Sequence, residues 1–382
     1  WPLFHDLLDH CHFSRQNWTT YRQVNRKFAK AVTSEAKPGD LIWVHDYHLL
    51  MVGRYLEETE VKAKKAFFLH IPFPPWDLFM RLPWRTEIIH SLLAYDLLGF
   101  QTERDRRNFI QCVRACFPAI RVKGDPRNQI IDHGGRPIRL GAFPISIDYE
   151  AFNHLAASDD VAERAWLIHE RLPNRKLVLG VDRLDYTKGI PERLEAFQVL
   201  LQKYPQMRGK VTLVQIAVPS RTDVPEYQLM KENIDRTIGR INGQYTRAGW
   251  TPIHYIYRNL SRLELVSYYR TSEIALITPL KDGMNLVAKE YCASSVENLG
   301  VLILSEFAGA AITLRRGALL VNPYNVEHVA DQIFEACQMP KAQQQSRMSQ
   351  LRREIRRNNV FRWVDSFLRA TGRSELRPGV TV

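Results

Sequence analysis

No run among the 382 residues approaches the roughly 20 consecutive apolar residues of a membrane-spanning helix, and no secretory signal pattern is present. Neither a membrane-embedded nor an exported protein is expected. Cysteine is scarce and unpatterned. Cys11, Cys112, Cys116, Cys292 and Cys337 are odd in number and lack paired spacing, which argues against a disulfide framework and for reduced thiols in the cytoplasm. Cys112 and Cys116 share a helical face, but no neighbouring ligand pair completes a zinc site. Neither the Gly-x-x-x-x-Gly-Lys-Ser/Thr phosphate loop nor the Gly-x-Gly-x-x-Gly dinucleotide fingerprint occurs, so kinase and dinucleotide readings lose their anchors. Zinc-finger and RNA-binding signatures are missing too, as is any short internal repeat.

What is present fits a two-domain α/β protein. The length suits two domains of ordinary size, and 45% hydrophobic with 25% charged residues matches a globular composition. The net charge of +12 favours acidic partners, nucleic acid or phosphorylated metabolites. Lys and Arg are spread along the chain, apart from a cluster at Arg352 to Arg357 that reads as a solvated helix face. Short apolar strands are expected at 41–44, 66–69 and 97–100, separated by helical stretches, which is the alternation of a parallel sheet. A helix is expected over 12–32, a hairpin or loop insertion over 120–140, and a connector over 141–148. The alternation restarts at 176–181 and continues with strands near 211–217, 253–257, 274–277, 301–304 and 318–321. The expected division is a first domain over 1–148, a second over 149–340, and C-terminal helices with a polar tail over 341–382.

The stretch from Thr278 to Tyr291 (TPLKDGMNLVAKEY) carries the densest chemistry. A buried strand ends at Thr278-Pro279, Gly283 is expected to permit a tight turn, and a helix is expected from Met284. Such a turn directs free N–H groups and the positive end of a helix dipole outward, which holds a diphosphate without a metal. Asp282 and Glu290, about two helical turns apart, suit hydroxyl-rich ligands because carboxylates accept paired hydrogen bonds. The competing reading is an ordinary capped helix whose Glu290 faces water. Arg183 and Lys188, in one strand-to-helix turn with Gly189, also suit a diphosphate, unless they serve as ion-pair partners of Asp182 or Asp185. Arg221 follows another strand and could reach an anion. In the first half, His45, Asp46, His48 and His70 invite a metal reading. Three ligands in one four-residue turn seldom converge, and the His-x-x-x-His spacing is absent, so no metal is expected. His45 and His48 then read as structural, with Asp46 and His70 left to bind sugar hydroxyls.

Seven motifs in order resemble the trehalose-6-phosphate synthase family: IWVHDYHLL (42–50), FFLHIPFP (67–74), YDLLGFQT (95–102), VDRLDYTKG (181–189), GRINGQY (239–245), DGMNLVAKEY (282–291) and LSEFAGA (304–310). The resemblance runs to about residue 370. It implies a GT-B glycosyltransferase with two Rossmann-like parallel-sheet domains facing across a cleft. The implied reaction moves glucose, with retention, from UDP-glucose to glucose-6-phosphate, giving trehalose 6-phosphate. Asp46, His70, Arg183, Lys188 and Asp282 would form the catalytic group. Arg183 and Lys188 would bind the donor diphosphate, Leu286, Val287, Ala288 and Lys289 the phosphates through backbone N–H groups, and Glu290 the ribose. Asp282 and the His70 side chain would contact the transferred glucose, and Leu260 falls at a base-contacting position. Trp1, Asp46 and Arg221 would hold the acceptor, Arg221 through its phosphate. The absence of any Asp-x-Asp agrees with a metal-free donor site, and no cofactor is implied. The family's glycine-rich donor loop and early Arg and Tyr acceptor contacts lie ahead of the motif at Trp1, so the first domain is expected to be incomplete. The rival readings are a glucosylglycerol-phosphate synthase using glycerol-3-phosphate, a non-catalytic regulatory relative and, last, a nucleic-acid binder. Neither nucleic acid nor membrane is an expected partner, and homo-oligomerisation is left open.

Overall fold

The computed structural model describes residues 1–59, 61–125, 129–172 and 175–372. The chain divides into two compact units, Trp1–Ile145 with the segment from Phe361 onward, and Ser146–Val360. The first boundary falls three residues before the one read from the sequence. The C-terminal stretch differs more. The helix Lys341–Arg357 belongs to the second unit, whereas most of the helix Val360–Ala370 belongs to the first. Residues 341–372 therefore do not stand apart as a separate segment, and 373–382, the rest of that expected segment, lie outside the described residues.

The sheet of the first unit is built from β1 (Leu41–His45), β2 (Lys64–Phe68), β3 (Leu97–Phe100), β4 (Arg121–Lys123), β5 (Ile130–His133) and β6 (Arg136–Ala142), in the order β1-β2-β3-β6-β5-β4. β1, β2, β3 and β6 run parallel, β5 pairs antiparallel with β6 across the turn at Gly134-Gly135, and β4 pairs antiparallel with β5. The expected insertion over 120–140 is thus strand pairing at a sheet edge, with 126–128 outside the described residues. The expected first helix spans Arg15–Glu35 and is capped by the Ser14 side chain, which accepts from the Asn17 amide. The C-terminal helix covers one face of this sheet. Phe367 is fully buried against Ala66, Phe68 and Leu97 and stacks on Trp43 with ring centroids 4.2 Å apart.

The second unit has a six-stranded, all-parallel sheet of β7 (Lys176–Arg183), β8 (Val211–Val218), β9 (Ile253–Tyr257), β10 (Ile274–Ile277), β11 (Val301–Ser305) and β12 (Leu319–Val321). Its order is β12-β11-β10-β7-β8-β9. β10 and β11 are buried at every position, as expected for strands covered by helices on both faces. Leu194, Phe197, Leu200 and Leu201 form the buried face of the helix Ile190–Lys203, as the periodicity predicts. The Arg352 to Arg357 cluster is only partly a solvated face. Arg352 donates to the carbonyls of Ala293 and Ser295 and to Asn153 Oδ1, and Arg356 pairs with Glu150 at 2.8 Å.

Candidate active site

In the first unit the distinctive polar residues stand at the carboxyl ends of β1 and β2. The strand register places His45 opposite Phe68, so the turns that follow lie side by side. His45 Nδ1 and His70 Nε2 are 3.0 Å apart, and Asp46 Oδ1 accepts the His70 amide at 3.2 Å. Asp46 takes a left-handed backbone, φ 69, and its own amide donates to the Phe68 carbonyl at 2.8 Å. That conformation is uncommon for a residue with a side chain and marks a constrained turn. Burial pushes the His45 imidazole down to about 4, helped by the adjacent His70, and burial lowers His70 as well. The two rings are therefore a neutral, hydrogen-bonded pair at neutral pH, which gives His45 a hydrogen-bond partner in His70. His48 is exposed. Trp1 packs beside the same turn, its ring 5.7 Å from that of Tyr47. Among the described residues no group of three or more His, Cys, Asp or Glu side chains is placed to hold a metal ion.

The second unit gathers the other candidates. Lys188 Nζ lies 2.6 Å from Asp282 Oδ2, with both side chains mostly buried. Burial alone would depress the ammonium, but Asp282, followed by Asp182 and Asp185, outweighs it and raises the Lys188 pKa. The turn that presents Lys188 ends at Gly189, whose φ of +62 and close approach to the Thr278 carbonyl leave no room for a side chain. Arg183 is exposed at the end of β7. The two acids that could have neutralised it are engaged elsewhere. Asp182 pairs with Arg193 at 2.6 Å, and Asp185 accepts from the Thr187 amide and hydroxyl.

Arg193 is the support that the sequence reading missed. It is fully buried and donates to Asp182, Gln215, the Thr278 hydroxyl and the Lys188 carbonyl. One guanidinium thus ties the ends of β7 and β10 and the middle of β8 to the turn that presents Lys188. The available signal was an arginine at a position of the apolar face formed by Ile190, Leu194 and Phe197.

The stretch from Thr278 differs from expectation in one respect. The left-handed residue is Asn285, φ 73, and Gly283 does not have a positive φ. Asn285 caps the helix Leu286–Ser294, which starts two residues later than expected, and its Oδ1 accepts the Ala288 amide at 3.1 Å. Leu286 and Val287 occupy the first turn, where N–H groups have no intrahelical acceptor. Lys289 points into the protein instead, 3% exposed, and burial pushes its ammonium down to about 8. Glu290 is half-buried and does not simply face water, because Oε2 accepts from the Tyr269 hydroxyl at 2.8 Å. Burial raises its carboxyl above the ordinary range. Tyr269 lies in the helix Arg262–Thr271, and the half-buried Leu260 immediately precedes that helix and its Ser261 cap. Arg221 is exposed, with φ 50, in the turn after β8. The candidates thus fall into two groups. Trp1, Asp46 and His70 lie in the first unit, and all the others lie in the second.

No helix among the described residues is long and apolar enough to cross a membrane. The chain matches the model of glycosyltransferase family 20 over residues 1–373. It is 44% identical to a trehalose-6-phosphate synthase of Mycobacterium avium over 384 aligned residues, covering 99% of this chain and 78% of that one. A UDP-forming α,α-trehalose-phosphate synthase of Burkholderia vietnamiensis superposes with a TM-score of 0.93 at 41% identity, covering 97% of this chain and 83% of that one. The Escherichia coli protein bound with UDP-2-fluoro glucose gives 0.92 at 40% identity, covering 99% and 83%. A Burkholderia xenovorans enzyme in complex with glucose-6-phosphate gives 0.93 at 38%, covering 97% and 82%. With two such sheets and these neighbours the fold is GT-B. The chain belongs to glycosyltransferase family 20.

Proposed function

We propose that the protein transfers glucose from UDP-glucose to glucose-6-phosphate with retention, releasing UDP and forming trehalose 6-phosphate. The observation that carries this reading is the second unit's cluster. There the pair Lys188–Asp282 links the turn after β7, which follows the exposed Arg183, to the loop before a capped helix start, and Glu290 in that helix is held by Tyr269. Relatives of the same fold bind a UDP-sugar analogue and glucose-6-phosphate.

Arg183, Lys188 and the N–H groups of the helix start would carry the donor diphosphate, which has no further need of a metal ion. Glu290 would accept from the ribose hydroxyls, Leu260 would flank the base, and Asp282 and His70 would contact the transferred glucose. Trp1 and Asp46 would line the acceptor site, and Arg221 would grip its phosphate through paired hydrogen bonds. In the reaction the anomeric carbon–oxygen bond to the diphosphate breaks as the bond to the acceptor oxygen forms on the same face. The acceptor proton passes to the leaving diphosphate oxygen. The protein's contribution is then positioning and electrostatic stabilisation of the departing charge. The five cysteines, all unpaired, support a cytoplasmic setting.

The test is a product assay crossing UDP-, ADP- and GDP-glucose with glucose-6-phosphate and glycerol-3-phosphate. Trehalose 6-phosphate from UDP-glucose is the expected product. Glucosylglycerol phosphate would move the protein to the other acceptor class, and no product from any pair would count against the proposed transfer by this chain.

A further inference from the structure

The Tyr227 hydroxyl stands between Arg221, which the proposed reaction places on the acceptor phosphate, and Asp185, which caps the turn that presents Lys188. It accepts from Arg221 Nη1 at 3.3 Å and donates to Asp185 Oδ2 at 3.3 Å. The other carboxylate oxygen of Asp185 accepts from the Thr187 amide at 3.0 Å and hydroxyl at 2.7 Å, which fastens it to the short turn Tyr186–Lys188. That turn ends in Lys188, paired with Asp282. The Tyr227 ring is buried, with the Tyr186 ring 4.6 Å away and the Arg221 guanidinium carbon 5.7 Å from its centroid. Each link has its donor and acceptor in order, since a guanidinium only donates, a carboxylate only accepts, and a hydroxyl does one of each. Packing alone would be satisfied by phenylalanine. The hydroxyl is what joins the two sides.

We propose that Tyr227 is a positioning residue that couples the donor and acceptor subsites through the chain Arg221–Tyr227–Asp185. The inference rests on the reading in which Arg221 holds the acceptor phosphate and Lys188 the donor diphosphate. Lys188 is paired with Asp282 at 2.6 Å. A diphosphate draws the ammonium away, and the turn Tyr186–Lys188 adjusts with it. Asp185 caps that turn, so its carboxylate, the tyrosine hydroxyl and the Arg221 guanidinium move in register. Donor binding thereby sets the guanidinium for the acceptor phosphate. By linkage the acceptor must tighten donor binding by the same factor. The left-handed backbone of Arg221, φ 50, fits a residue held in place by its surroundings.

The test is calorimetric titration of glucose-6-phosphate with and without saturating UDP, on the wild type, Tyr227→Phe and Asp185→Asn. UDP should tighten glucose-6-phosphate binding at least about fivefold in the wild type. In Tyr227→Phe that ratio should fall towards one, with thermal melting confirming that the ring still packs. Asp185→Asn should lose the ratio as well, because its amide can replace only part of the carboxylate's accepting capacity. If Tyr227→Phe does not fold, Asp185→Asn carries the test. A ratio of one in the wild type, or a full ratio in either variant, overturns the coupling. Arg221→Ala distinguishes this from failure of the underlying reading. Unchanged glucose-6-phosphate affinity in that variant removes Arg221 from the acceptor site, whatever the ratio.

Discussion

Lys188 Nζ and Asp282 Oδ2 lie 2.6 Å apart, so in this structure a proposed diphosphate ligand and a proposed sugar ligand neutralise each other. A diphosphate bound by Lys188 would therefore meet an ammonium that already has a carboxylate partner. Asp282→Ala should leave UDP affinity unchanged or tighter, because a carboxylate next to a diphosphate is removed. The same variant should lower kcat/KM for UDP-glucose by about 100-fold or more, roughly 2.7 kcal/mol. Lys188→Ala should instead weaken UDP by about 1.5–3 kcal/mol. Calorimetry with UDP alongside initial rates checks both, and parallel losses of UDP binding in the two variants would refute the opposed roles.

Glu290→Gln should weaken UDP binding by about 1–3 kcal/mol, since a neutral amide is a poorer acceptor for two ribose hydroxyls. Tyr269→Phe should reproduce a smaller part, about 0.5–1.5 kcal/mol, because Tyr269 only orients the carboxylate through its 2.8 Å hydrogen bond. An unchanged dissociation constant in Glu290→Gln would return the residue to a purely structural role.

Turnover should survive excess EDTA, because two cations and a helix start can carry the diphosphate charge. Activity lost in EDTA and recovered with magnesium or manganese would overturn the metal-free reading and reopen the turn at His45, Asp46 and His48.

The neutral histidine pair makes folding stability pH-dependent. His45 titrates near 4 in the folded state against an ordinary value of 6.5, with burial the main cause and His70 next. Between those values the unfolded chain binds the proton and the folded chain does not. Stability therefore rises with pH across this window and is lost as pH falls from 6.5 towards 4. His45 is partly exposed, so after allowance for solvent screening the loss should be about 1–2 kcal/mol. Denaturant unfolding at pH 5 and pH 7 should show a smaller difference in His45→Gln than in the wild type. An identical difference would mean that other groups carry the effect.

The parallel sheets were legible because their strands are near-continuous apolar runs ended by polar turns, as at Ile274–Ile277 before Thr278. The chemistry-bearing residues were legible for the same reason, each standing where such a run stops. What hid was whatever depends on residues distant in sequence. Arg193 looks like a helix-surface cation until its partners Asp182, Gln215 and Thr278 arrive from three strands. Tyr269 is one apolar-face residue among many until Glu290 meets it. Local turn chemistry also misled, because glycine is the usual left-handed residue and here Asn285, which caps the helix as well, takes that conformation. The ownership of the last helix could not be read either, since an amphipathic stripe states that a face is buried without stating against what.

That last helix bears on the order in which the chain can fold. The Lys64 ammonium donates to the Thr371 carbonyl, 307 residues further along, and Phe367 completes the hydrophobic cluster over Ala66 and Leu97. Contacts of such separation form late, after the loop between them has closed. During synthesis the second unit, complete at Val360, has all its strands before the first unit receives its covering helix. The amino-terminal unit is therefore made first and expected to finish last, with the sheet face around Phe68 and Trp43 uncovered in the interval. Pulse proteolysis of stalled nascent chains should find the second unit protected while the first is still cut. Protection of the first unit before residue 361 has emerged would refute that order.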